Sequence, residues 1–259
     1  MDHDEVLALF DRRMRREAVP DGPDTRVERV GGVVRSVGPA HAWNGVLWSD
    51  LTPATADGAV AEQAAFYAGR GLTCEWKLYS HDRPDDLGRR LAAAGFEAEP
   101  AESLMVADLA TLPTDAEPPA GVHLRTVAAP ADVALVAEVH EQAFGTDSPW
   151  LTALLLEQLE RGATDTAAVL AMAGERPVSA ARLEMPAGAP FASLWSGGTV
   201  GEWRGRGIYR SLVAHRARIA RERGYAYLQV DATEASRPIL ERLGFARLAT
   251  TTPYVKAAR

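Results

Sequence analysis

The stretch TVGEWRGRGIYRSL, residues 199–212, decides the fold. A strand-like segment ends here, Gly205 and Gly207 follow with one residue between them, and a helix-forming segment begins almost at once. Free backbone N–H groups and the positive end of the helix dipole therefore converge at one point. This arrangement favours a pyrophosphate, because glycine lets phosphate oxygens approach the backbone and because Arg204 and Arg206 can add charge-assisted contacts.

Two familiar phosphate-binding motifs do not fit this stretch. A dinucleotide-binding fingerprint would need a third glycine where Arg210 stands, and a P-loop would need Gly-Lys-Ser/Thr, which occurs nowhere in the sequence. A plain glycine turn between a strand and a helix is the structural alternative. Few such turns carry Arg-Gly-Arg-Gly at a helix N-terminus, so the phosphate-binding interpretation is favoured.

The surrounding sequence predicts strands mixed with helices in both halves of the chain. In the second half, apolar patterning predicts strands at 122–127, 167–173, 178–184, 191–200, 227–230 and 245–255, and helices at 131–144, 150–159, from the glycine loop to 223, and 236–243. In the first half it predicts helices at 5–14, 54–67 and 84–95, and strands at 27–36, 44–49, 73–79 and through 104–106. This order predicts an α+β or mixed α/β sheet flanked by helices.

A proline-rich segment separates the two halves. Residues 112–119 carry three prolines and two acids, with little that could pack in a core. We therefore predict an N-terminal domain at 1–112, a linker at 113–120 and a C-terminal domain at 121–259. The helices that end at Gly95-Phe96 and Gly244-Phe245 share an Arg-Pro and a Leu pattern, which indicates either a duplicated fold or a common helix cap.

The glycine loop resembles the Arg-Gly-x-Gly-Ile/Leu acetyl-CoA pyrophosphate loop of the GNAT superfamily of acyl-CoA-dependent N-acyltransferases. Residues 227–231 are similar to that family's fifth strand, and 236–245 to its next helix and Gly-Phe cap. The resemblance covers roughly residues 121–255. The N-terminal half shares the later strand, helix and Gly-Phe pattern but lacks the glycine loop, so it resembles a degenerate GNAT-like domain that cannot hold a cofactor. The resemblance thus implies tandem GNAT-like domains.

The resemblance also implies the residues that bind acetyl-CoA as a co-substrate. The family's strand before the loop pairs with the pantetheine arm across a cleft opened by a bulge, which the consecutive glycines of Ser196-Gly197-Gly198 permit. The Val200 N–H is the candidate donor to the thioester carbonyl, where it would stabilise the oxyanion. The implied cofactor-binding residues are Thr199, Val200, Arg204, Gly205, Arg206, Gly207, Ile208 and Tyr209.

Two positions depart from the family pattern. Glu202 stands where many members have Gln or Arg, and Leu240 stands where members often carry a tyrosine that protonates the departing thiolate. Protonation must then come from another group or from water, or the thiolate is simply released. Ser236 and Tyr254 are candidate donors, although each is better explained as an ordinary cap or strand residue.

The amine that attacks the thioester must first lose its proton. Glu184 is the first candidate for the general base and Glu202 the second, and either could instead be an ordinary surface acid. His140 and His123 titrate near neutral pH, although a lone histidine is more often structural. Trp195 and Phe144 either line the acceptor pocket or belong to the core.

Composition excludes several other classes of protein. The net charge of −7 disfavours nucleic-acid binding, and we expect most arginines of the helix after residue 207 to face solvent, because Ile208, Leu212 and Ile219 form its apolar face. A single cysteine and the lack of zinc-ligand spacing predict no metal site and no disulfide. The N-terminus lacks a signal-peptide pattern and no apolar run could cross a bilayer, so we expect a cytoplasmic protein that binds no membrane.

The sequence therefore predicts an acetyl-CoA-dependent N-acetyltransferase that acts on a primary amine of a small molecule, such as an amino acid, a polyamine-like metabolite or an aminated antibiotic. The alternative is a non-catalytic acyl-CoA sensor or partner-binding protein, which Leu240 and the degenerate first half favour. Acylation of a protein is a third possibility. The alanine-rich helices could form a homodimer or pack within the chain.

Overall fold

A computed structural model describes residues 1–258. The helices are α1 (His3–Phe10), α2 (Ala56–Ala68), α3 (Leu87–Ala93), α4 (Pro130–Phe144), α5 (Pro149–Glu160), α6 (Ile208–Glu222) and α7 (Arg237–Leu243). The strands are β1 (Arg26–Val30), β2 (Val33–Val37), β3 (Gly45–Ser49), β4 (Cys74–Tyr79), β5 (Glu97–Ala98), β6 (Glu102–Asp108), β7 (Val122–Thr126), β8 (Thr166–Ala173), β9 (Arg176–Glu184), β10 (Phe191–Thr199), β11 (Tyr227–Ala232) and β12 (Ala246–Lys256). None of the helices within residues 1–258 is long and apolar enough to cross a membrane.

The chain forms two compact units. Unit 1 comprises Met1–Met105, Asp231–Glu241 and Ala246–Arg259, and unit 2 comprises Val106–Val230 and Arg242–Phe245. The last strand, β12, therefore belongs to unit 1, where it pairs antiparallel with β4 over Thr251–Lys256. The predicted division at residues 113–120 assigned that strand to the C-terminal domain. As a boundary between two GNAT-like domains, the division stays a prediction.

Unit 2 is a mixed sheet with helices on both faces, as predicted. The strand order is β11-β10-β9-β8-β7, with β10 and β11 parallel and the other neighbours antiparallel. Alternate residues of β8 face opposite sides: Leu170 packs with the apolar residues of α4 and α5, whereas Val169 packs with Ile208 and Leu212 of α6. The predicted hairpin of β8 and β9 is confirmed by its antiparallel register.

Unit 1 is also a mixed sheet flanked by helices, in the order β1-β2-β3-β4-β12-β6. Its core includes Val46, Val60, Tyr67 and Trp76, all nearly inaccessible to solvent. The single strand predicted at 27–36 is wrong: β1 and β2 are two strands joined at Gly31-Gly32. Both glycines have positive φ, 58° and 82°, and this backbone conformation suits a tight hairpin turn between twisted strands.

Candidate functional site

The central feature of unit 2 is a wedge between two parallel strands. Among the described residues, the pairing of β10 with β11 runs from Phe191 with Tyr227 to Ser193 with Gln229 and extends no further along β10. On its other side β10 continues along β9, with a register shift between Trp195 and Gly198. The bulge predicted in this segment is therefore confirmed, and Ser196 adopts a positive φ of 47° within it.

The glycine loop lies directly after this wedge. A short 3₁₀ turn, Gly201–Trp203, leads to Gly205 and Gly207, whose φ angles are 73° and 87°. A Cβ atom built on Gly201, Gly205 or Gly207 would meet nothing within 4 Å, so the backbone here borders open space. These positive φ angles explain why glycine occupies both positions.

The loop presents unpaired backbone donors at the start of α6. The first hydrogen bond of the helix runs from Ser211 N to Gly207 O, at 3.1 Å, so the N–H groups of residues 208–210 have no acceptor within the helix. No side chain caps this end. The Arg206 guanidinium lies over the Trp203 ring, 4.8 Å from its centroid, on the exposed side of the loop. Backbone donors, a helix N-terminus and an exposed cation together fit a pyrophosphate.

Arg204 makes contacts within the protein that the sequence did not predict. Its Nε donates to Thr199 O at 3.0 Å, and its Nη2 donates to Ala143 O at 2.9 Å. Its own N–H donates to Gly201 O at 3.2 Å. These bonds tie the loop to the end of β10 and to the last turn of α4, so the side chain stabilises the loop, and its contact with the pyrophosphate stays a prediction.

Val200 does not fit the predicted role of oxyanion donor. Its N–H already donates to Val178 O at 3.0 Å, so it faces β9 and not the wedge. Successive residues of an antiparallel strand alternate in direction, and the N–H of Thr199 therefore points away from β9. The Thr199 side chain is fixed by Ser179, whose Oγ lies 2.8 Å from Thr199 Oγ1. Thr199 is thus the better placed donor at the wedge.

Two side chains fill the space beneath the bulge. A Cβ atom on Gly197 would lie 3.2 Å from Cε2 of Tyr209 and 4.0 Å from Nη2 of Arg216, so glycine lets both approach the strand. Burial raises the pKa of the Tyr209 hydroxyl. Arg216 is only 1% exposed. It is therefore an exception to the expectation that most arginines of α6 face solvent. Its spacing of four residues from Leu212 was the signal that placed it on the buried face.

The candidate bases occupy different environments. Glu184 ends β9 opposite Ser193, where the wedge begins, and its Oε1 lies 3.4 Å from Arg182 Nη2. Glu202 lies in the exposed loop and accepts bonds from Arg176 at 3.2 Å, which lowers the pKa of its carboxyl. Glu184 is therefore better placed for proton transfer than Glu202, and its catalytic role stays a prediction.

A cluster of aromatic side chains lies on the face of unit 2 that carries α4 and α5. The His140 ring is 4.6 Å from the Phe144 ring and 6.3 Å from the Trp150 ring, measured between centroids. His140 Nδ1 lies 2.8 Å from Ser148 Oγ, and burial together with Arg182 lowers the pKa of the imidazole. Phe144 and Trp195 are exposed, so the structure favours their interpretation as surface residues over core residues.

Ser236 is the predicted site residue that lies in unit 1. Its hydroxyl donates to Thr233 O at 3.2 Å, just before α7. This is the environment of an ordinary helix-start residue, and its assignment as a proton donor stays a prediction. Leu240 is completely buried in α7.

Unit 1 also has two parallel strands whose pairing is short, and a side chain occupies the gap beyond it. β3 and β4 pair only at Gly45 with Glu75 and at Val46 with Trp76. Beyond this point the Nε of Arg15 donates to Leu47 O at 3.0 Å.

The same arginine is held from the other side of the gap. Its guanidinium donates to both oxygens of Asp82, at 2.8 and 2.6 Å, and lies 4.0 Å from the centroid of the Tyr79 ring. Arg15 is 2% exposed. The segment after β3, residues 50–55, contains no glycine. Arg15 therefore fills this gap, and the absence of a cofactor from the first half stays a prediction.

Comparison with known proteins agrees with this geometry. Residues 134–245 match the family model described as "Acetyltransferase (GNAT) family". No curated protein matches the sequence significantly. A GCN5-related N-acetyltransferase from Kribbella flavida is similar in structure, with a TM-score of 0.69, 19% identity and 90% of each chain covered.

Two further solved structures extend over nearly the whole chain. A tandem GNAT protein from the clavulanic acid biosynthesis pathway has a TM-score of 0.62 and 16% identity, and the match covers 100% of this chain and 96% of that one. A GCN5-related N-acetyltransferase from Sphaerobacter thermophilus has a TM-score of 0.63 and 19% identity, covering 99% and 85%. At these identities the likeness establishes a shared fold, including the two-domain arrangement. Residues 134–245 therefore form a domain that matches the GNAT family of acetyltransferases.

Proposed function

We propose that this protein transfers an acetyl group from acetyl-CoA to a primary amine of a small molecule. The observation that carries the proposal is the wedge between β10 and β11, which leads into a loop where Gly201, Gly205 and Gly207 border open space at a helix N-terminus. A thioester arm needs an unpaired strand edge, and a pyrophosphate needs converging backbone donors. Both are adjacent in unit 2.

Acetyl-CoA, when bound, supplies an activated acetyl group. The bond that forms joins the amine nitrogen to the acetyl carbon, the C–S bond breaks, and the proton lost by the amine must pass to a base. The Thr199 N–H is directed to the wedge and can orient the thioester carbonyl. Glu184, opposite Ser193, can accept the proton. Ile208, Tyr209 and the preceding glycines hold the pyrophosphate end through their backbone.

A thiol-release assay tests the proposal. Purified protein and acetyl-CoA are incubated with amino acids, polyamines, aminoglycosides and peptides, and free CoA thiol is measured. Gly205→Glu places a carboxylate where the pyrophosphate should bind. At about 4 Å and an effective dielectric constant of about 20, two like unit charges repel by about 4 kcal/mol, which corresponds to a loss of affinity on the order of 1,000-fold.

Gly224→Glu is the matched control. Gly224 has a φ of 83°, close to the 73° of Gly205, and a Cβ there also meets nothing within 4 Å, but it follows the other end of α6. We expect thiol release to disappear in Gly205→Glu and to persist in Gly224→Glu. Equal activity in both variants would refute the assignment of the loop.

A second candidate function is acyl-CoA binding without catalysis. The observation that favours it is Leu240, a buried residue that cannot donate a proton and that occupies the position where the family often has a tyrosine. Saturable binding of acetyl-CoA without thiol release on any acceptor would support this function over acetyl transfer.

A further inference from the structure

A buried arginine lies beneath the aromatic cluster of unit 2. Arg182 is 6% exposed, and its Nε and Nη1 atoms are inaccessible to solvent and make no hydrogen bond to any part of the described chain. Buried polar groups in native proteins are almost always paired, and a buried cation without full pairing is costly. Two unpaired donor nitrogens therefore need an explanation.

The pairing that Arg182 does have is incomplete. Its Nη2 lies 3.4 Å from Oε1 of Glu184. The neighbouring buried cation, Arg216, donates from Nη1 to Arg182 O at 2.8 Å, and among residues 1–258 it forms no ion pair. The positive charge around Arg182 and Arg216 favours binding of an anion at this place, although the chain as a whole has a net negative charge.

The surface above Arg182 is unusually apolar. Phe144, Trp150 and Trp195 are 51%, 42% and 36% exposed, and they account for half of the large apolar side chains that the described chain leaves exposed. Arg182 Cζ lies 5.8 Å from the centroid of the Trp150 ring, and Trp195 is the β10 residue directly paired with Arg182. Exposed aromatic groups that surround a buried cation mark a ligand site more often than a plain surface.

The position of Phe144 is fixed by the strand beneath it. A Cβ atom on Gly198 would lie 2.8 Å from Cε2 of Phe144, so only glycine allows the end of α4 to lie this close to β10. The aromatic surface is therefore built against the same strand whose other edge forms the wedge.

We propose that the acceptor is an α-amino acid with an aromatic or large apolar side chain, whose carboxylate binds one of the unpaired nitrogens of Arg182 and whose amine lies against Glu184. This inference rests on the proposed acetyl transfer and names its substrate class. The 3.4 Å between Arg182 Nη2 and Glu184 Oε1 suits an α-amino acid, because its amine and carboxylate are separated by a single carbon. The side chain packs against Phe144 and Trp195.

Trp150 covers Arg182 and must turn aside when the carboxylate binds. Its side chain is 42% exposed, so it can move without opening the core. Binding of the acceptor therefore changes the surroundings of an indole, and tryptophan fluorescence reports it directly. This readout needs neither acetyl-CoA nor turnover.

The experiment compares molecules that differ by one group. L-Phenylalanine carries both charges, phenethylamine lacks the carboxylate, and 3-phenylpropionate lacks the amine. Each is titrated while tryptophan fluorescence is followed, and the two amines are assayed for thiol release with acetyl-CoA. For the wild type we expect kcat/KM to be about 10- to 100-fold higher for L-phenylalanine than for phenethylamine, and 3-phenylpropionate to bind and inhibit. Glycine should be a poorer acceptor than L-phenylalanine.

Arg182→Met separates recognition from stability. The Glu184 side chain is 28% exposed, so its carboxylate stays hydrated when Arg182 is replaced by an apolar side chain of similar length, and the variant should fold. We expect the preference for L-phenylalanine over phenethylamine to fall to about one, mainly through KM, with acetyl-CoA affinity unchanged. Arg125→Met is the matched control, because Arg125 also has an unpaired buried Nε but forms an ion pair with Asp132 at 2.8 Å.

The outcomes distinguish this inference from the proposed function. Turnover of amines without preference for the carboxylate, or a preference that survives in Arg182→Met, overturns the inference and leaves acetyl transfer intact. If no amine is acetylated, the fluorescence titration decides. Saturable L-phenylalanine binding that is lost in Arg182→Met supports the carboxylate site, and no saturable change overturns it.

Discussion

The two arginines of the glycine loop should respond differently to the same substitution. Arg206 lies over Trp203 on the exposed side of the loop, whereas Arg204 is bonded to two backbone carbonyls at 3.0 and 2.9 Å. Arg206→Met removes an exposed cation from the pyrophosphate, so we expect acetyl-CoA to bind about two- to fivefold more weakly. Because this contact is ionic and exposed, its loss should also reduce the salt dependence of binding.

Arg204→Met should act through the loop and not through charge. Two hydrogen bonds at about 0.5–1 kcal/mol each, at the low end because the guanidinium is exposed, give a loss of about 1–2 kcal/mol in unfolding free energy. Urea unfolding measures this loss, and calorimetric titration of acetyl-CoA between low and high salt measures the charge contribution. We expect the salt dependence in Arg204→Met to equal that of the wild type. A reduced salt dependence with unchanged stability would show that Arg204 contacts the phosphates after all.

Three further variants test other parts of the structure. Lys77→Met leaves the buried Asp231 without its ion-pair partner, so the free energy of unfolding measured in urea should fall by about 3–5 kcal/mol. The double variant with Asp231→Leu should restore most of this loss. A loss below ~1 kcal/mol in Lys77→Met would contradict the buried pair. Burial raises the pKa of Glu102 from 4.5 to about 7. The folded state therefore binds this proton more tightly than the unfolded state does, so Glu102 should lower the free energy of unfolding as the pH rises from 4.5 to 7. Glu102→Gln should therefore raise Tm at pH 8 and leave it unchanged at pH 4; an equal change at both pH values would contradict the raised pKa. Gly198→Ala should lower the free energy of unfolding by about 1–3 kcal/mol, because its Cβ would lie 2.8 Å from Phe144. Unaltered stability in urea would show that α4 does not pack this closely against β10.

The sequence was most informative where glycine and periodicity constrain the backbone. The helix start at residue 208, the bulge near Gly197 and the hairpin of β8 and β9 were all predictable, since each depends on local residue types. The prediction of one strand at 27–36 was wrong because Gly31 and Gly32 adopt positive φ and turn the chain, whereas the valines on both sides of them continue a strand pattern.

The details of the site depended on pairing that the local pattern does not encode. The bulge adds a residue to β10, and the register after it decides whether Thr199 or Val200 directs its N–H to the wedge. The role of Arg204 was missed because Ala143, whose carbonyl it binds, is 61 residues away in sequence. Arg182 does carry a signal in the sequence, because it interrupts the largely apolar strand predicted at 178–184.

The most direct test of the account is the stoichiometry of acetyl-CoA binding, measured by isothermal titration calorimetry on the full chain. Unit 2 offers an open glycine loop beside an unpaired strand edge, whereas Arg15 fills the corresponding gap of unit 1. We predict one acetyl-CoA per chain, with binding lost in Gly205→Glu and retained in Gly224→Glu. Two molecules per chain, no binding, or a single site that survives in Gly205→Glu would contradict the account.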